Sequence, residues 1–204
     1  MHTPPAPGLT PDDILQLYTR HGGLAYAGED VSQWAHGWQC ARLAQRAGAS
    51  PALQLAAWLH DIGHLLTGLP GSPTVDGIDD QHERLGAHAL APLFGPDVAQ
   101  PVALHVQAKR FLVTTQPDYR LALSPDSVRS LALQGGPMRA HEAAAFSALP
   151  HARDALRLRV WDDLGKDPQG LPDSPAESMR DLHRLMQRVR LRALAPCALP
   201  TPQG

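Results

Sequence analysis

With 204 residues, 43% of them hydrophobic and 19% charged, the chain can bury one sizeable core and is short for two domains. A net charge of −2 and a pI near 6.6 give no broad cationic surface for nucleic acid or an anionic membrane. No apolar run approaches the roughly 18 residues that a bilayer span needs, and Cys40 and Cys197 stand in no metal-binding or redox spacing, which argues against a disulfide framework.

The opening MHTPPAPGLT lacks a basic n-region and an apolar h-region, so it does not read as a signal peptide. A soluble, cytoplasmic protein is expected. Eleven histidines against three phenylalanines and three tyrosines direct attention to imidazole chemistry.

Four pairs, Thr10-Pro11, Ser50-Pro51, Ser124-Pro125 and Ser174-Pro175, each precede an apolar-periodic segment. A hydroxyl at the N-cap accepts from free amide groups, and proline at the next position loses no hydrogen bond. Each pair therefore reads as a helix start, and Glu177, three residues after Ser174, suits a capping box. Gly22-Gly23, Gly48 and Gly135-Gly136 read as helix stops. The spacing predicts helices near 11–21, 31–47, 51–66, 80–91, 97–112, 125–134, 139–148, 151–164 and 175–194. No stretch alternates like a strand, so an all-α fold is expected, one domain over 1–204 with its core in about 11–194 and a frayed tail at 195–204. Between Leu66 and Asp80 the Gly- and Pro-rich segment TGLPGSPTVDGI is either a lid over a site or a surface loop.

Polar residues intrude on these apolar helices. In WLHDIGHLL, His60 and His64 are four apart and share a helical face, with Asp61 turned by about 100° beside them. His36 lies in VSQWAHGWQCARLA, His82 in DDQHERLGAHAL, His105 in PVALHVQAKRFL and Asp162 in LRLRVWDDLGK. Singly, each reads more readily as a satisfied core residue or part of a surface network. Together, four imidazoles and two carboxylates on five helices are difficult to bury except around metal. Ligands of this type without thiolate suit Fe, Mn, Co or Zn, and six exceed what one tetrahedral ion takes. Two ions bridged by Asp61 is the economical reading. His2, His141, His151 and His183 lie in polar contexts and read as solvent-facing.

A helical His, a His-Asp pair and a distal Asp, here His36, His60-Asp61 and Asp162, resemble the HD-domain superfamily. With His82, His105, Tyr26 and Glu29 in YAGEDVSQWAH, Lys109, Ser127, LQGGPM and Arg159, the chain resembles the mixed-valent di-iron oxygenases of that superfamily that act on 2-amino-1-hydroxyethylphosphonate and its trimethylammonio analogue. Myo-inositol oxygenase is a more distant likeness. The resemblance runs from about Tyr18 to Lys166.

It implies a single HD-domain helical bundle with one iron on His36, His60, Asp61 and Asp162, and a second on Asp61, His82 and His105. The two ions would form an Fe(II)/Fe(III) pair, with O2 as co-substrate. It also implies that Tyr26 covers an open iron position, that Glu29 meets the substrate's amino group, and that His64, Lys109, Ser127 and Arg159 hold the phosphonate. Tyr26, Glu29 and His64 would be the catalytic residues. The small phosphonate would be cleaved at its C–P bond, with no nucleic acid or membrane as partner.

Residue chemistry alone is less specific. Lys109 lies one turn from His105, and Arg159 nearly one turn before Asp162, so both can flank the metals. Arg159 can equally form a surface ion pair, Glu29 can cap the helix that begins near Val31, and Lys166 is expected to pair with a carboxylate. A metal-dependent HD phosphohydrolase acting on a nucleotide or other phosphate ester is the alternative, and a binding or signalling module the third possibility.

Overall fold

The computed structural model describes residues 9–23, 30–68 and 73–194. Tyr26, Glu29, His2 and the tail expected at 195–204 lie outside the described residues. The described residues form ten α-helices and no strand: α1 Pro11–His21, α2 Gln33–Arg46, α3 Pro51–Leu59, α4 Ile62–Thr67, α5 His82–Phe94, α6 Pro96–Thr115, α7 Pro125–Leu133, α8 Ala140–Ser147, α9 Ala152–Leu164 and α10 Pro175–Leu194. A single 3-10 turn, Tyr119–Ala122, connects α6 and α7. No described helix is long and apolar enough to cross a membrane.

The helix starts follow from the hydroxyl-proline pairs. Thr10 accepts from Asp13 N while Asp13 accepts from Thr10 N, a closed capping box. Ser50 accepts from Leu53 N, Ser124 from Ser127 N and Ser174 from Glu177 N. Gly48, Gly135 and Gly136 take positive φ at helix stops. The helix expected over 80–91 runs on to Phe94 through Pro92, and ends where the Gly95 amide donates to Ala91 O.

One expected helix is two. The segment 51–66 breaks between Leu59 and Ile62, where Asp61 takes φ −100°, ψ 10°, the sparsely populated bridge region in which many active-site residues sit. In an uninterrupted helix Asp61 would diverge from His60 by about 100°. The break instead turns both side chains to one centre, with His60 Nε2 3.2 Å from Asp61 Oδ2.

Helix α3 lies at the middle of the bundle, against α2, α6, α9 and α10. Its Leu55 and Leu59 are fully buried with Ile14, Ile62, Leu90, Val98 and Leu182 in the principal core. A smaller cluster of Leu104, Ala108, Met138, Phe146, Ala152 and Ala155 joins α6, α8 and α9. Together they hold α2, α3, α5, α6 and α9, the helices that carry the polar intrusions.

The start of α5 approaches α4 at Gly63, where a Cβ would lie 2.0 Å from the carbonyl oxygen of His82 and 2.6 Å from its Cα. Backbone cannot yield as a side chain can. Gly63→Ala is expected to destabilise the metal-free protein by about 1–3 kcal/mol or more, whereas Gly23→Ala, with nothing within 4 Å, should stay within about 0.5 kcal/mol. Equal urea midpoints for the two variants would contradict this close approach.

Candidate metal centre

Four imidazoles converge from four places on the bundle, and each is oriented the same way. The Nδ1 of His36 faces Gly165 O at 2.8 Å, that of His60 faces Ala57 O at 3.0 Å, and that of His105 faces Val102 O at 2.7 Å. His82 differs only in its acceptor, the Asp80 carboxylate at 2.9 Å. Since a carbonyl or carboxylate oxygen can only accept, each Nδ1 carries the hydrogen and each neutral ring turns an Nε2 lone pair inward.

Those lone pairs meet oxygen atoms that are themselves acceptors. His36 Nε2 lies 3.3 Å from His60 Nε2, 3.3 Å from Asp162 Oδ1 and 3.6 Å from Asp61 Oδ2. On the other side of Asp61, Oδ1 is 3.4 Å from His82 Nε2 and 3.6 Å from His105 Nε2, and the two nitrogens are 3.1 Å apart. An ion held at about 2.0–2.2 Å by each of several such donors spaces them by roughly 3–3.5 Å. Both groups come close to that spacing, one on each oxygen of Asp61.

Both Asp61 oxygens are buried and make no hydrogen bond. His60 Nε2 lies 3.2 Å from Oδ2 and can donate to it only when the ring carries a second proton. A buried carboxylate without a donor costs several kcal/mol unless a cation meets it. The donor set of imidazole nitrogens and carboxylate oxygens therefore fits metal, and the donor atoms of His36, His60, Asp61 and Asp162 lie close enough together to hold one ion.

Without a metal, a proton on His60 takes the cation's place. Burial disfavours charge on His60, but Asp61 and Asp162 beside it overcome that and raise its pKa to about 10. Burial likewise opposes charge on Asp61, and His60 and His82 hold it well below the usual carboxylate range. Burial and the neighbouring His82 and His60 push His105 well down. Cys40, a residue the sequence assigned no role, lies with Sγ 3.8 Å from His36 Nε2 and donates to Trp161 O. Its burial, with Asp162 and Asp61 nearby, pushes the thiol well up, so it packs against the ring as a thiol.

Beside the metal-binding group is a cationic one. Lys109, Ser127 and Arg159 are 3%, 5% and 4% exposed, so Arg159 is no surface ion pair. Its Nη1 donates to Asp162 Oδ2 at 2.6 Å and its Nε to Tyr119 Oη at 3.0 Å, while Asp163 takes Nη2 and Nε. Tyr119 donates to the same Asp163. Lys109 Nζ donates to Ser130 Oγ at 2.7 Å, and burial, with Arg159 close by, lowers its pKa to about 7. Lys166 Nζ donates to Ser124 Oγ and Ser127 Oγ at 3.3 Å each, so it belongs to this group.

His64 sits on the far side of the Asp61 break. Its ring stacks on that of His82 at 3.9 Å, and its Nδ1 is 2.6 Å from Asp80 Oδ2. Asp80, Tyr119, Asp163 and Lys166 are the site residues that periodicity did not identify. Of the histidines read as solvent-facing, His141 is exposed and His151 and His183 are half-buried.

The chain matches the HD domain family over residues 34–145. It is 42% identical over 161 residues to hydroxymethylphosphonate dioxygenase of Gimesia maris, covering 78% of this chain and 80% of that protein. It is 38% identical over 151 residues to 1-hydroxy-2-(trimethylamino)ethyl phosphonate dioxygenase (glycine-betaine-forming) of Leisingera caerulea, covering 74% and 76%. An uncharacterised protein of Acanthamoeba polyphaga mimivirus is 35% identical over 155 residues, covering 75% and 71%. The chain belongs to the HD domain family and resembles its phosphonate dioxygenases.

A ring with a pKa near 10 carries a proton throughout the neutral range, and a metal ion must displace it. Metal uptake by the chelated protein at pH 7–8 should therefore release protons into a weakly buffered solution. Affinity should fall about tenfold for each unit by which pH is lowered, per proton displaced. Uptake without proton release, at an affinity independent of pH, would contradict this.

Proposed function

We propose that the chain is an O2-dependent oxygenase that cleaves the C–P bond of a small 1-hydroxyphosphonate and releases phosphate. The overall change R–CH(OH)–PO3H2 + O2 → R–COOH + H3PO4 balances without a further reductant. The observation that carries this reading is the adjacency of two groups: inward-facing His and Asp donors, and the buried Lys109, Ser127 and Arg159, linked directly by the Arg159–Asp162 ion pair. Relatives named as phosphonate dioxygenases support the substrate class.

In this reading His36, His60, Asp61 and Asp162 would hold one iron, and Asp61, His82 and His105 would hold the second. When bound, an Fe(II)/Fe(III) pair supplies the one-electron chemistry that dioxygen requires. The protein positions the rest. Lys109, Arg159 and the Ser127 hydroxyl bind the phosphonate oxygens through charge-assisted hydrogen bonds, which sets the hydroxyl-bearing carbon, whose C–H bond is broken, against the metals. His64 completes the wall next to His82. Tyr26 would shield the metal site before substrate arrives, and Glu29 would meet an amino substituent where the substrate has one. The buried leucines of α3 and α4 exclude water from this side.

Incubation of the iron-loaded protein with hydroxymethylphosphonate, 2-amino-1-hydroxyethylphosphonate and its trimethylammonio analogue should consume one O2 per phosphate released with at least one of them. No oxygen uptake, together with anaerobic hydrolysis of phosphate esters, would establish the phosphohydrolase instead.

A pH dependence follows from Lys109. Its pKa of about 7 means the ammonium is present below that pH and lost above it, so KM for the phosphonate should rise as pH increases beyond about 7. Lys109→Gln should raise KM by about 10–100-fold at pH 6.5, from the loss of a hydrogen bond to a charged group worth about 1.5–3 kcal/mol, and should flatten the pH profile. An unchanged KM in the variant would remove Lys109 from phosphonate binding.

A further inference from the structure

Three of the four converging histidines rest their Nδ1 on a backbone carbonyl, whereas His82 rests it on the side chain of Asp80. The same carboxylate takes His64. Its Oδ2 is 2.6 Å from His64 Nδ1 and its Oδ1 2.9 Å from His82 Nδ1, and the two rings lie stacked, inclined by only 22°. One buried carboxylate thus holds two parallel imidazoles by the same ring atom.

The backbone is shaped to place it there. Gln81, between Asp80 and His82, has φ 50° and ψ 36°, a left-handed conformation uncommon for a residue that is not glycine. The turn folds Asp80 back over the first turn of α5, where its Oδ1 also lies 3.3 Å from the His82 amide. A carboxylate aimed at two histidines across a strained turn is a built feature.

We propose that Asp80 is a positioning residue that acts through His82 and His64. It fixes the hydrogen of His82 on Nδ1, so that the Nε2 lone pair faces Asp61 Oδ1 and His105 Nε2, and it fixes the plane of the His64 ring that lies over it. A carboxylate also makes the ring a stronger donor than a carbonyl does. The two metal-binding groups therefore differ: the one on Asp61 Oδ2 is held by backbone, and the one on Asp61 Oδ1 depends on a side chain that also controls His64. This inference rests on the reading that His82 ligates the second ion.

The test is anaerobic Fe(II) titration of the chelated full-length protein against a competing chelator, which uses neither phosphonate nor oxygen. Wild type should take up two ions per chain. Asp80→Ala should weaken one of them by about 10–100-fold and leave the other unchanged. Asp80→Asn, which keeps one acceptor oxygen at nearly constant volume, should weaken the same ion less, and His64→Ala should keep both. Two ions of unaltered affinity in both Asp80 variants would overturn this proposal alone, as would equal weakening of both ions. A single ion in wild type would overturn the two-iron reading and this inference with it. Should Asp80→Ala not fold, Asp80→Asn decides: selective weakening of one ion supports the role, and unchanged affinities overturn it.

Discussion

The site depends on one constraint: the Nδ1 hydrogens of four imidazoles are already committed, so their Nε2 lone pairs must face one another and the oxygens of Asp61 and Asp162. Acceptors gathered in this way repel unless cations or protons lie between them. The fold gathers them nonetheless, by the bend at Asp61, by the close approach of α4 and α5 at Gly63, and by the carbonyls of Ala57, Val102 and Gly165 that fix the rings. Hydrophobic burial of α3 by α2, α6, α9 and α10 supplies the opposing stabilisation.

The cationic group is joined to this cluster and is not a separate device. Arg159 meets Asp162 at Oδ2 while His36 faces Oδ1, so one carboxylate serves both the histidine cluster and the guanidinium. Tyr119 and Asp163 hold the rest of the guanidinium and leave it little freedom to turn. Such an arrangement limits reorganisation when a small dianion arrives. It also ties any change in the Arg159 partners to the field at Asp162.

Much of this was legible in the sequence. Hydroxyl-proline pairs mark helix starts because their chemistry is local, and they appear where expected at Thr10, Ser50, Ser124 and Ser174. The six polar intrusions were visible as residues out of period, and the structure brings all six together. The break at His60-Asp61 was not visible, because periodicity records residue type and not ψ, and WLHDIGHLL continues the helical pattern through it. Asp80 lies in a segment without periodicity, where nothing distinguishes it from Asp76 or Asp79 until Gln81 turns it inward. Lys166 and Asp163 follow Asp162 in sequence, but their orientation toward Ser127 and Arg159 is tertiary. Tyr26 and Glu29 rest on the family likeness.

The proposed two-metal site has Asp61 between the ions. X-ray absorption of the iron-loaded protein tests it most directly, since a carboxylate-bridged pair places a second metal at about 3.5–4 Å from the first. An iron–iron scattering contribution at that distance is expected in wild type, with its loss in Asp61→Ala. Iron surrounded only by nitrogen and oxygen in wild type, with no metal neighbour, would contradict it.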